Sequence, residues 1–339
     1  MQKILSIILV SVLILFSCSG DKSISFDNYK ELETIAIVDD LPVRIPGDFI
    51  LTDSCFVVID PFGSEHILKV YSLKNGEHLF DAVKKGNGPY ELAAPSTIHV
   101  NDNVNVFDIS AQKIVSYDMN CFSRNPVPRN EVLLESDLFV EKLVLYDNSK
   151  ALVFSSDVPG LVSKIDFNSL ESFSVVANPF AEYDNSEIGQ QLTGTVKFDP
   201  HGNYFAFAAY STPYYSLQKM ENGSFVELAT GFIKEPRYSA TGEMFQWDKE
   251  ISPNGFMDIA LLPERLFLLH ADISLQDAEN RSIEAIPNII YELDFSGRLV
   301  THYTLDRRVL RLASDKKGKL YGIAFDEHDD KFKIVELPV

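Results

Sequence analysis

Six short apolar runs recur along the chain at near-even spacing, and no other feature of the sequence restricts its fold as much. Five are almost unbroken: CFVVI (55–59), ALVF (151–154), YFAFAAY (204–210), RLFLL (265–269) and LYGIAF (320–325). A sixth, VNVFDI (104–109), is weaker. Their starts lie 47 to 61 residues apart. A strand that is apolar on both faces must be covered on both faces. Each run is preceded by a polar turn (TDS, NDN, DNSK, DPHGN, PE, DKKGK), and each turn by another strand (DFIL, STIHV, KLVLY, TVKF, DIALL, VLRL). Turn residues of this kind reverse the chain in a hairpin. The strands that follow the runs alternate, as expected nearer the outside. Ile289, Tyr291, Leu293 and Phe295 oppose Glu292 and Asp294, and Val115, Tyr117 and Met119 oppose Ser116 and Asp118. Several units then turn at Asn75-Gly76, Asn222-Gly223 or Ser296-Gly297 into a fourth strand.

The unit is therefore predicted to be a four-stranded antiparallel meander, buried inside and polar outside. Six in series predict an all-β, six-bladed β-propeller. A β-sandwich would not account for six units of this length. The last unit ends in its third strand, KFKIVEL (331–337), while ETIAIV (33–38) has no unit of its own. The N-terminal strand is thus expected to pair with the C-terminal blade and close the ring.

Lys3 precedes an apolar stretch, Ile4 to Phe16, with Ser17 and Cys18 directly after it. This is the layout of a secretory signal. Leu15-Phe16-Ser17-Cys18 resembles the bacterial lipobox, which implies that Cys18 is lipidated and becomes the mature N-terminus. Ser19, not Asp, follows; by resemblance to Gram-negative sorting this implies an outer-membrane lipoprotein, periplasmic or surface-facing. The expected organisation is a signal peptide (1–17), a lipidated polar tether (18–30) and the propeller (31–339), held on the membrane by its lipid. Cys55 and Cys121 are read as free buried thiols, although an exported compartment permits a disulfide.

The segment GNGPYELAAPSTIHVNDNVNVFDISAQKIVSYDM (86–119) resembles the TolB-like six-bladed propeller lipoproteins of Bacteroides-type bacteria. Gly86, Gly88, Pro89 and Glu91 match their Gly-x-Gly-Pro-Gly-Glu loop, Pro95 follows, and Asp108 takes the Asp place of the V-x-V-x-D strand. Tyr90 stands where Gly is usual. The turn DPHGN (199–203) resembles the SPDG-type turn of the same blades. The resemblance implies an exported lipoprotein propeller and no particular activity.

Lys+Arg number 30 against 49 Asp+Glu, a net of −19, which argues against nucleic acid as a partner. No G-x-S-x-G elbow, H-E-x-x-H, Walker loop or EF-hand register is present, and the seven His are scattered. No catalytic residue, metal or cofactor is assigned, and a monomer is expected. The acidic turn Asp326–Asp330 reads as a solvated turn rather than a cation site.

Long connections fall on one face only: 84–95, 232–256 and 272–287. Binding residues concentrate on long loops held by a rigid scaffold. The candidate ligand-binding residues are therefore Lys85, Asn87, Tyr90, Glu91, Tyr210, Tyr214, Arg237, Tyr238, Trp247 and Asp248. Flat aromatic faces with polar neighbours suit sugar rings or extended peptides, and Lys85-Gly86-Asn87-Gly88 offers N–H groups to an anion. The same aromatics can instead pack the loop onto the blade rims. Three functions remain open: a non-catalytic propeller that binds a macromolecule or glycan on this face, an envelope assembly or scaffold partner, and a carbohydrate-active hydrolase or lyase.

Overall fold

In the computed structural model each sequence unit is one antiparallel sheet, and the sheets are joined in chain order. Residues 24–339 are described, except 119–125, 135–137, 148, 156, 159, 170, 184–191, 200–202, 242–243 and 281. Cys18, Cys121, Met119 and most of the DPHGN turn lie outside the described residues.

Blade 1 comprises Phe49–Leu51, Cys55–Ile59, His66–Ser72 and His78–Lys84; blade 2, Pro95–Val100, Asn103–Asp108, Lys113–Asp118 and Pro128–Leu133. Blade 3 comprises Lys142–Asp147, Lys150–Phe154, Val162–Asp166 and Ser172–Val176; blade 4, Gly194–Asp199, Tyr204–Ala209, Tyr214–Glu221 and Ser224–Phe232. Blade 5 comprises Phe256–Leu262, Arg265–His270, Ile289–Asp294 and Leu299–Leu305. Blade 6 takes Arg308–Ser314, Leu320–Asp326 and Lys331–Leu337 from the C-terminus and Ile35–Leu41 from the N-terminus. Ile35 pairs with Glu336 and Val38 with Ile334, so the ring closes by strands from both ends of the chain.

The six apolar runs are the second strands of the six blades. Cys55–Ile59 is buried along its whole length. The reason is visible in blade 4, where Phe205, Phe207 and Ala209 enter the core between blades 3 and 4. Ala206 and Ala208, on the alternate face, enter the core between blades 4 and 5. A period of two sends successive side chains to opposite neighbours. Six such clusters fill the six gaps between blades. Asn222 and Gly223 both have positive φ, +52° and +78°, which is the requirement of a two-residue hairpin turn.

One expectation needs correction. The polar tether was expected to run to residue 30, but Asn28–Leu32 pairs in parallel with Leu299–Leu305 as a fifth strand on blade 5. Phe26 is buried against Tyr291 and His302. Phe26, with Ile24 beside it, packs onto the core between blades 4 and 5.

Candidate functional site

In a meander blade the first strand starts on the face that carries the links between blades. The early residues of the six first strands therefore converge at the long-loop mouth of the central channel. Five blades place charge there. Asp48 immediately precedes blade 1, Lys142 opens blade 3, Asp258 sits early in blade 5, and Lys197 and Arg311 lie midway along the first strands of blades 4 and 6.

Lys197 reaches across the channel from blade 4 to the opposite blade 1. Its Nζ lies 2.5 Å from Asp48 Oδ1 and 3.8 Å from Asp258 Oδ1. Both carboxylates are otherwise filled by N–H and O–H donors. Asp48 accepts from Phe49 N at 3.0 Å and Ile98 N at 3.1 Å. Asp258 accepts from Ile259 N at 2.9 Å, Leu312 N at 2.8 Å and the Thr195 hydroxyl at 3.3 Å. The cluster thus ties blades 1, 2, 4, 5 and 6 together across the axis.

The two carboxyls differ in acidity. Burial alone would raise Asp48, but Lys197 and Lys142 together with the Ile98 N–H hold it below the usual carboxylate range. Burial pushes Asp258 up, and the neighbouring Asp48 charge adds to that against the pull of the more distant Lys197 and of Arg311. Burial likewise pulls Lys197 down, but its two aspartates more than offset this and keep it charged.

The cluster separates two cavities. Toward the long-loop mouth lies a polar one of about 200 Å³, lined by Asp48, Ser96, Thr97, Lys142, Tyr210, Asp258 and Arg311 among others. Toward the short-turn face lies an apolar one of about 170 Å³, lined mainly by Ile50, Ile98, Val144, Val196, Phe198 and Ile259. His99 also lines the apolar cavity. Its Nε2 accepts the Leu145 N–H at 3.0 Å, so the neutral ring carries its proton on Nδ1, which has no partner. Burial drives the His99 pKa down to about 3, with Lys197 adding to the effect and Asp48 opposing it.

The residues singled out from the sequence divide sharply. Trp247 is only 5% exposed, at 5.3 Å centroid distance from Phe180 and 4.8 Å from Phe245. Tyr214 is equally buried, with its hydroxyl 3.0 Å from that of Thr230. Neither offers a face to a ligand, because the hairpin Tyr238–Thr241/Met244–Trp247 folds its aromatics onto the link after blade 3. Tyr238 is exposed and stacks on Phe245 at 4.8 Å. Asp248 is exposed at the hairpin's end, where its N–H donates to Arg237 O at 2.9 Å. The excursion is also locked to the next loop: Leu275 N donates to Ser252 O and Asn254 N to Ile273 O.

The Gly86–Glu91 loop is already satisfied. Lys85 donates to Pro61 O at 3.2 Å and Gly63 O at 3.1 Å, bracing the adjacent turn of blade 1. Gly88 N donates to Glu91 Oε2 at 3.0 Å, so the loop's own carboxylate takes the place suggested for an external anion. Lys84 holds the other oxygen of Glu91 at 2.7 Å. Tyr90 has φ +59°, a left-handed conformation that explains why related loops carry Gly there. Asp108 is fully buried and accepts from the N–H groups of Ala93, Ala94, Ser110 and Ala111. It pins the link between blades to its own blade. Asn87 is exposed and Tyr210 reaches the channel mouth. Of the ten candidates, Tyr210 alone lines the polar cavity.

Sequence reasoning missed the channel ring. Its signal was one charge in five of the six otherwise apolar first strands: DFIL, KLVLY, TVKF, DIALL and VLRL. The acidic turn at 326–330 is paired to the strand that follows it, with Asp326 2.8 Å from Lys333. Exposed large apolar residues are spread over the outer strands, among them Leu79, Leu133, Phe173, Val226 and Ile35, on five different blades.

A closed ring of six blades, five four-stranded and one carrying a fifth strand, its axis crossed by a largely buried ion cluster, defines a six-bladed propeller with a divided channel. The chain matches over residues 12–226 the family described as a 6-bladed beta-propeller, and it belongs to that family. No curated protein matches it. Among solved structures it is similar to a Bacteroides fragilis protein classed as exported, at 14% identity and a TM-score of 0.56, covering 93% of this chain and 99% of that one. It is also similar to the calcium-binding protein regucalcin of Agrobacterium tumefaciens, at 10% identity and a TM-score of 0.52, covering 91% and 96%. A Bacteroides vulgatus protein is similar at 9% identity, with the same TM-score and coverage. At these identities the likeness is one of fold. Among the described residues no three His, Cys, Asp or Glu side chains are placed to hold a metal ion.

Proposed function

We propose that the chain is an exported lipoprotein, lipidated at Cys18 and held on the outer membrane. Its non-catalytic propeller binds a macromolecule or glycan at the long-loop mouth. The observation that carries the binding reading is the asymmetry of the two faces. The 232–256 and 272–287 loops are hydrogen-bonded into a rigid rim, beside a polar cavity that Tyr210 lines. The exported Bacteroides fragilis neighbour and the Ile4–Cys18 pattern support the location.

The test uses the full chain in detergent against fluorescent oligosaccharides and peptides. Tyr210→Ala and Tyr238→Ala should each weaken binding at least tenfold, while Lys317→Ala on the opposite face leaves it unchanged. Binding indifferent to both tyrosines would overturn the reading. For the anchor, a fatty-acid label should be incorporated by the native chain and lost in Cys18→Ala.

One observation favours a second reading, a carbohydrate-active enzyme. Asp48 and Asp258 face one channel with acidities displaced in opposite directions, the pattern of an acid–base pair. Their oxygens are taken by Lys197 and backbone donors, which is why binding is preferred. Polysaccharide cleavage abolished by Asp258→Asn would reverse that preference.

A further inference from the structure

The polar cavity has more donors than acceptors. Lys142 and Arg311 line it beside the carboxylates of Asp48 and Asp258, and Lys197, below them on the side of the apolar cavity, is a third cation already shared between both aspartates. Lys142 gives one N–H to Ser96 O at 3.0 Å. Arg311 spends Nε on Gly47 O and Nη1 on Leu310 O, both at 2.9 Å, and its Nη2 has no acceptor among the described residues. Thr97 also lines the cavity; it is 3% exposed and its hydroxyl has no partner. A buried hydroxyl is rarely left unpaired in a polar space without something to meet it. A lone surplus of positive charge, spare N–H groups and an unpartnered hydroxyl in one cavity describes the complement of an anion. A cation would meet the opposite arrangement, since the carboxylate oxygens here are already occupied.

We propose that the polar half of the channel binds its solute, the glycan or macromolecule of the binding reading, through one anionic oxygen group, a carboxylate or a phosphate. Lys142 and Arg311 supply the charge and the Thr97 hydroxyl a directed hydrogen bond. About 200 Å³ admits such a group with part of its carrier, and the rest of the solute leaves past Tyr210 at the mouth. This specifies the ligand of the binding reading given above and rests on it for the route of access. The Asp48–Lys197–Asp258 cluster forms the floor, so the group stops there and does not pass into the apolar half.

The experiment titrates the full chain with glucuronate, glucose 6-phosphate and neutral glucose at low and high salt. At least one of the two anions should bind, its affinity falling several-fold at high salt, while glucose at equal concentration does not. A preference between the two identifies the group as carboxylate or phosphate. Lys142→Met should weaken the binding tenfold or more and abolish the rise in melting temperature that the anion gives the native chain. Equal binding of glucose and the anions, no binding of any probe, or an unaltered affinity in a folded Lys142→Met protein would overturn the proposal. Should Lys142→Met not fold, Thr97→Val replaces it with the same expectation at smaller size. Loss of anion binding with tyrosine-dependent oligosaccharide or peptide binding intact would remove this inference alone. Anion binding with no effect of the tyrosine variants would instead remove the rim reading.

Discussion

Two clusters on the long-loop face are built from opposite materials. The rim cluster of Phe180, Tyr183, Tyr238, Phe245 and Trp247 is aromatic, comes from connecting segments and mixes edge-to-face, tilted and stacked ring contacts. The channel cluster of Asp48, Lys197 and Asp258 is ionic, comes from the starts of strands and is bound by backbone N–H groups. Read in one dimension, the aromatics look like a ligand surface and the charges look like surface residues. In three dimensions the positions are exchanged. Phe180 and Trp247 are buried because a long connection has no sheet to cover it and must supply its own core. Strand charges are largely buried because six first strands meet at the axis, where little solvent reaches and each charge finds a partner from another blade.

The largest effect expected from this contrast is at Lys197. Lys197→Met leaves two buried carboxylates facing each other without their shared cation, and should lower the unfolding free energy by about 3–5 kcal/mol. Denaturant titration measures it; a loss below about 1 kcal/mol would mean that the carboxylates simply pick up protons and that the cluster does not hold the blades.

The rim responds through packing instead. Trp247→Ala empties a buried aromatic site and should cost about 3 kcal/mol, the lower end for such a truncation because a rim can relax. An unchanged melting curve would return Trp247 to the role of a ligand platform.

Acid distinguishes the two further. In the folded chain His99 stays neutral down to about pH 3, whereas the unfolded chain protonates it below about 6.5. The unfolded state therefore binds more protons in that window. Stability should rise with pH between about 3 and 6.5 by up to about 1.4 kcal/mol per pH unit from this group, and level off above it. His99→Phe should flatten that limb, while Trp247→Phe leaves it intact.

The smallest change is at the joint between loops. Ser252 is buried, its hydroxyl accepting the Arg237 N–H at 2.9 Å and donating to Arg237 O. Ser252→Ala should cost about 1–2 kcal/mol and loosen the rim without touching the channel, which hydrogen exchange at 237–252 would report.

Much of the fold was legible because burial on both faces leaves a one-dimensional trace. CFVVI, YFAFAAY and LYGIAF must each lie between two neighbours, and Asn222-Gly223 admits little but a hairpin. Even the closure followed from arithmetic: a last unit one strand short and a first strand without a unit. The fifth strand on blade 5 was not legible, since Asn28–Leu32 reads as polar and its pairing depends on the rim left bare beside Leu299–Leu305. The Gly86–Glu91 loop was half legible. Its glycines announced a turn, but that Glu91 would fold back onto Gly88 N could not be seen without the turn's geometry.

What the sequence determined alone was local and periodic: strands, their buried and exposed faces, hairpins and the count of blades, set by alternation within a strand and by repeats 47 to 61 residues apart. What only the tertiary structure decided was the meeting of Asp48 with Lys197, 149 residues away, and of both with Asp258. The period of a strand says which way a side chain points. It cannot say what stands opposite across a ring until the ring is closed, because the partners come from blades whose only relation is the axis they share.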